Sequence, residues 1–362
     1  MYRFFRYLII LLTAGLFLAG CNRNDEPPQT RRTILVYMAA KNTLSGYDES
    51  DLGEMQRASI PAGCRLLVFR SAYGSDPVLA EVRKGKLKTL RTYEAGTYGA
   101  DAETLKRVLA DVRKLAPAKE NGVIFWSHSS GWSGAVKAPA VNRSFGLEGN
   151  RQIELPDLAD ALMTVPTLDF IFFDSCYMGC VEVAYELRST ARYLVASVCE
   201  VPVNGMPYDL TLPELFNRNL EAGLANAIDL TVDSYLATPR EQCPSTLSLI
   251  NLAGMDAVAA TASPLLAARV APKDDFQYFS ILPPYNNLFV DLRHYMGVTS
   301  DNQDNLRRFN DALDGAIIHE RHTNAIWGRI PITHCCGLSI NPNPESENYG
   351  YRKLQWSQVT NP

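Results

Sequence analysis

The chain has 362 residues, 46% of them apolar and 20% charged, with a formal net charge of −4. That apolar share fills an ordinary globular core and excludes a disordered or low-complexity chain. The slight acidity leaves no electrostatic footprint for nucleic acid.

Arg3 and Arg6 precede an apolar run from Leu8 to Leu18. The run is too short to span a bilayer comfortably, since a crossing helix needs ~20 apolar residues. This order is that of a signal peptide. It closes in Leu18-Ala19-Gly20-Cys21, similar to the bacterial lipobox. Residues 1–20 therefore read as a leader, and Cys21 as a lipid-bearing first mature residue. Residues 21–32 hold Asp25, Glu26, Pro27 and Pro28 and read as a flexible tether. The expectation is an exported protein, lipid-anchored in a bacterial cell envelope.

From Thr33 onward, apolar runs alternate with helical patterns. Thr33–Ala39 reads as a strand covered on both faces, followed by a short helix through Leu52 and Met55. Cys64–Phe69 reads as the second strand. Val78–Arg83 and Leu87–Tyr93 flank Lys84-Gly85-Lys86, the pattern of an edge hairpin. Asp101 caps a helix carrying Leu105, Val108, Leu109 and Val112. Gly122–Ser127 is a buried strand, and a glycine-rich stretch read as irregular runs to about Ile153. Pro156 opens a helix, Leu168–Asp174 is the next buried strand, Val181–Leu187 is helical and Tyr193–Ser197 is a strand. Later, helices are expected at Pro213–Asn219, Leu224–Leu236, Met255–Arg269 (broken or kinked at Pro264) and Asp304–Glu320. Strands are expected at Ser245–Asn251 and Gly337–Asn341. The alternation predicts an α/β fold: a mostly parallel sheet sandwiched by helices. Functional groups of such sheets gather beyond the carboxyl ends of the strands.

Two strand ends carry chemistry. FWSHSSGW (125–132) delivers His128 and FFDSCYMGC (172–180) delivers Cys176. Alone, His128 reads first as a structural histidine and Cys176 as a small buried filler. Together on one rim, 48 positions apart in sequence, they suit a thiol nucleophile with an imidazole base. The eight cysteines are consistent: setting Cys21 aside leaves seven, so at least one is unpaired or bonded to another chain. No cysteine spacing reads as a zinc site, and His294, His319, His322 and His334 have no metal-binding spacing. No metal and no cofactor is expected.

The two motifs, their order and their separation resemble the clostripain family of cysteine peptidases, relatives of caspases and gingipains. TILVYMAAKNTLSGYDESDLGEM (33–55), ADAETLKRVL (100–109), ASVCEVPVNGMPY (196–208), GLSINPNP (337–344) and YRKLQW (351–356) are similar to further stretches of that family. The resemblance implies a caspase-like catalytic domain over 33–215, with 216–362 a C-terminal helical and strand region packed on it. It implies hydrolysis of peptide bonds after Arg or Lys, with Cys176 as nucleophile and His128 as base. Backbone N–H groups of Ser129 and Cys176 would hold the oxyanion. Asp174 matches an acidic family position and Glu200 lies on the next loop; each is a candidate for binding a basic side chain, and each reads equally as structural or solvated. Self-cleavage is expected in the stretch after His128, at Lys137, Arg143 or Arg151, with Arg143 ranked first. The expected partners are basic protein or peptide substrates and the membrane, through Cys21. One departure stands out: the family normally has Gly after the histidine, and Ser129 stands here. A left-handed backbone there would disfavour serine, leaving a catalytically inactive binding lipoprotein as the alternative.

Overall fold

The computed structural model describes residues 30–83, 85–132, 144–237, 246–280, 288–343 and 350–360. Its centre is a nine-stranded sheet. The parallel middle is β2 (Cys64–Ser71), β1 (Arg32–Ala39), β5 (Glu120–Trp126), β8 (Leu168–Asp174) and β9 (Ala191–Ala196), in that spatial order. β3 (Val78–Arg83) and β4 (Lys86–Thr92) extend one edge antiparallel, as the hairpin pattern predicts. β10 (Thr246–Asn251) and β12 (Ile317–His322) extend the other edge. The sheet thus continues without a break into the last third of the chain.

Alternation along the strands explains why both faces are covered. In β1, Leu35 and Tyr37 enter one core while Ile34, Val36 and Met38 enter the other. The first core is closed by α2 (Ala102–Leu115), α3 (Leu155–Leu162), α4 (Val181–Glu186), α7 (Met255–Ala267), α8 (Leu292–Val298), α9 (Gln303–Ala316) and α10 (Gln355–Thr360). The second is closed by α1 (Tyr47–Arg57), α5 (Tyr208–Leu215) and α6 (Leu220–Leu236). Local signals start these helices: the Asp101 carboxylate accepts from the Thr104 N–H, and Asn219 caps α6 through the Ala222 N–H. Arg32, buried at the start of β1, donates to the carbonyls of Leu215 (2.6 Å) and Asn217 (2.8 Å). It thereby satisfies carbonyls at and just beyond the end of α5, which have no helical partner. No described helix is long and apolar enough to cross a membrane.

Three elements differ from the sequence reading. The stretch before Ile153 is not wholly irregular: β6 (Phe145–Glu148) and β7 (Arg151–Ile153) form a hairpin. Its two-residue turn is Gly149-Asn150, with Gly149 at φ 61°, a hairpin signal passed over in the sequence. The helix placed at Pro213 begins earlier, at Tyr208, with Pro213 inside it. The ninth helix ends at Ala316, and Ile317 begins an edge strand instead. The β-branched pair Ile317-Ile318 suits a strand, and β10 supplies its hydrogen-bond ladder.

Candidate active site

Register brings the two motifs together. β5 and β8 are parallel neighbours, with Trp126 opposite Asp174. Two residues further on, each strand delivers its reactive side chain, so His128 and Cys176 leave the sheet at the same level. Neighbouring strands lie ~4.8 Å apart. The chain order β1, β2, then β5 on the other side of β1 puts the switch point of the sheet between β1 and β5, at the strand that delivers His128, and open α/β folds place their sites at such a point.

His128 is half-buried between two loops. Its carbonyl accepts from the Gly146 N–H (2.9 Å), and the Ser130 N–H donates to Ser144 (3.3 Å), so the β6–β7 hairpin holds the histidine loop from behind. In front, the Thr43 hydroxyl meets His128 Nε2 at 2.8 Å. Asn42 shapes the loop that presents Thr43: its amide donates to the Ala39 carbonyl (2.9 Å) and its oxygen accepts from the Leu44 N–H (2.8 Å). Thr43 is the residue the sequence reading missed. The only signal was a hydroxyl in the loop after the strand that neighbours the histidine strand.

Cys176 is half-buried, and its sulfur accepts from the Val201 N–H at 3.3 Å. Burial pushes its thiol up to about 12; the Val201 bond opposes this, and the charges of Glu200 and Asp174 add to it. The resting sulfur is therefore a protonated thiol that needs a base. After it the chain turns sharply. Tyr177 has φ 60° and donates its N–H to the Cys199 carbonyl (3.0 Å), and the Gly179 N–H donates to Ser197 (2.7 Å).

Ser129 does not take a left-handed backbone: among the described non-glycine residues only Tyr177 and Trp327 do. The demand falls two positions later, on Gly131 (φ 68°). A Cβ there would come within 2.8 Å of the Phe289 ring and 3.0 Å of the Tyr177 carbonyl. Serine at 129 therefore carries no left-handed strain. Ser129 forms an antiparallel bridge with Phe145, flanked by the His128 and Ser130 bonds. In such a pair the residue's own N–H points away from the partner strand. Its hydroxyl donates to the Cys176 carbonyl at 2.6 Å.

Two carboxylates flank the cysteine. Asp174 is buried at the end of β8 and accepts from the Tyr208 hydroxyl (2.9 Å) and the Met206 N–H (3.3 Å). Burial pushes its carboxyl up to about 6. Asp51 accepts from the Trp126 indole N–H at 2.6 Å and is pushed up to about 8, by burial first and then by Asp174. Glu200 has buried oxygens and a raised carboxyl, from burial; the Tyr177 hydroxyl and the Trp327 indole oppose the rise. Both aromatic residues facing Glu200 are the left-handed ones.

Of the remaining candidates, Arg151 lies in β7, ion-paired with Asp101 (3.3 Å) and with its guanidinium 4.9 Å from the Tyr98 ring centre. Lys137, Arg143 and Cys21 lie outside the described residues. His319 bonds Asp229 at 2.8 Å, and His294 stacks on His334.

An α/β sheet with a cysteine and a histidine on adjacent parallel strand ends is the architecture of a caspase-like cysteine peptidase. The clostripain family model matches residues 36–315, and the chain belongs to that family. Clostripain of Hathewaya histolytica is 27% identical over 251 residues, covering 58% of this chain and 46% of clostripain. The chain therefore aligns with less than half the length of that relative. A secreted C11 cysteine protease from Bacteroides thetaiotaomicron, solved with an irreversible peptide inhibitor, superposes with a TM-score of 0.79 at 26% identity. That match covers 91% of this chain and 99% of the other. An inactive zymogen C11 protease from Parabacteroides distasonis has the same TM-score and identity, covering 92% and 99%.

Proposed function

We propose that this chain is an exported cysteine endopeptidase that cleaves after Arg or Lys. The observation that carries the reading is the β5–β8 register, which sets His128 and Cys176 at one level on neighbouring strands. Thr43 holds the His128 ring through Nε2 at 2.8 Å, and the imidazole is the group that exchanges protons with sulfur and substrate. His128 takes the Cys176 proton as the sulfur attacks the scissile carbonyl. The N–H groups of Ser129 and Cys176 receive the oxyanion. The imidazolium then protonates the departing amine and leaves a thioester. Water, deprotonated by His128, attacks the thioester, and the proton returns to the sulfur as the carboxylic product leaves.

Asp174 and Glu200 support a basic specificity. Asp174 is buried and the Glu200 oxygens are buried; both carboxyls are raised, no ion pair to either is seen among the described residues, and a guanidinium or ammonium would supply a counter-charge. Residues 33–215 carry this machinery, with 216–362 packed on them. That a structural neighbour from Parabacteroides is an inactive zymogen supports an activation step, for which self-cleavage is our reading. Arg151 is held in a strand and an ion pair, so Arg143 and Lys137 rank ahead of it. Cys21 would carry the lipid that tethers the enzyme to the envelope.

The test is turnover of fluorogenic peptides ending in Arg, Lys, Asp or Leu, beside Cys176→Ala. Cleavage of the Arg or Lys peptide that vanishes in Cys176→Ala is the expected result. Silence toward all four peptides, with no labelling of Cys176 by an Arg-bearing acyloxymethyl ketone, overturns the reading.

A further inference from the structure

We infer that the Ser129 hydroxyl is a positioning group that sets the spacing of the two oxyanion donors. The inference rests on the peptidase reading and adds a role for a side chain where the family normally has none.

The turn after Cys176 is clamped. The Cys176–Tyr177 peptide is held on both edges: its carbonyl accepts from Ser129 Oγ at 2.6 Å, and its N–H donates to the Cys199 carbonyl at 3.0 Å. The clamp sits beside a left-handed tyrosine, a conformation that persists only where neighbours over-determine it. Tyr177 is further fixed by stacking on Phe289, ring centres 5.5 Å apart. Phe289 is also the ring that a Cβ at Gly131 would strike. The histidine loop and the cysteine turn are thus wedged together, and the Ser129–Cys176 bond is a direct polar link across the wedge.

Ser129 contributes two groups that point to one side. Its N–H faces away from β6, and its hydroxyl reaches the main chain of Cys176. Fixing Oγ on that carbonyl anchors the peptide that follows the Cys176 N–H, and so limits how far the Cys176 amide can shift relative to the Ser129 amide. Donors that stabilise an oxyanion act only when held at the position the charge will occupy. A glycine at 129 keeps the amide and loses the link, so its two donors are spaced by backbone alone.

The experiment compares wild type, Ser129→Ala, Ser129→Gly and Ser129→Thr as full chains, with active sites counted by the Arg ketone. Per titrated site, Ser129→Ala and Ser129→Gly are expected to lose roughly tenfold in kcat with KM within about twofold, because the link acts on the transition state. Ser129→Thr keeps the hydroxyl and recovers most of the loss. A purely structural role would lower the titrated fraction and leave kcat per site alone. Ser129→Ala with wild-type kcat per site overturns the inference while wild-type turnover leaves the peptidase reading standing. A wild type that neither turns over nor titrates fails both.

Discussion

Asp51→Asn tests the electrostatics beneath the rim. Asp51 is held neutral by burial and by Asp174, its carboxyl rising from 3.8 to about 8. In the unfolded chain it ionises near 4. Between those values the folded state holds a proton that the unfolded state has released, so stability falls as pH rises through the window from about 4 to about 8. Each pH unit inside it costs about 1.4 kcal/mol. From pH 5 to pH 7 the Asp51 contribution is therefore a loss of roughly 2–3 kcal/mol. Asparagine does not titrate, and its side-chain oxygen still accepts from the Trp126 indole. Measured by urea denaturation in a Cys176→Ala background, which prevents self-cleavage, the variant should lose ~2–3 kcal/mol less than its parent over that interval. Asp174 titrates in both proteins and cancels in the difference. Parallel pH profiles for variant and parent would refute the reasoning: Asp51 would then be ionised and solvated at neutral pH.

Two further outcomes follow from the site. Thr43→Val removes the hydroxyl on His128 Nε2. The bond lies at an exposed position, so the loss is that of an ordinary hydrogen bond, about 1 kcal/mol or roughly fivefold in kcat; unchanged kcat would remove Thr43 from the mechanism. Gly131→Ala forces a left-handed alanine against Phe289 and the Tyr177 carbonyl. It should cost about 1–3 kcal/mol in a urea titration and most of the activity; full activity would show that the wedge yields freely.

Much of this architecture could be read from the chain because buried parallel strands announce themselves. TILVYMA, GVIFWS and LDFIFFD leave no polar face, so their ends, and with them His128 and Cys176, were fixed by composition. The misplacements share one cause: a local signal competed with a tertiary one. Pro213 suggested a helix start, yet the buried Tyr208 and Leu212 anchor a helix that begins before it. Ile317-Ile318 continued the pattern of α9, and only the open edge of β10 turned them into a strand. Thr43 was invisible for the same reason. Its meaning depends on β1 lying beside β5, a neighbour relation that no window of sequence contains. The glycine expectation at position 129 erred differently: it assigned a conformational demand to the residue after the histidine, when the chain meets that demand at Gly131.

The sheet order has a consequence for any processed form. A nick between Trp132 and Ser144 would put β1 to β5 in one fragment and the β6–β7 hairpin with β8, β9, β10 and β12 in the other, with the β5–β8 ladder as the seam of the main sheet. The fragments would form an obligate heterodimer whose interface is the interior of a former single core, with Phe125 stacked on Phe173 across it at 5.2 Å. Histidine would belong to one subunit and cysteine to the other. Separation and inactivation would then be a single event, since neither fragment could keep its half of the sheet folded alone.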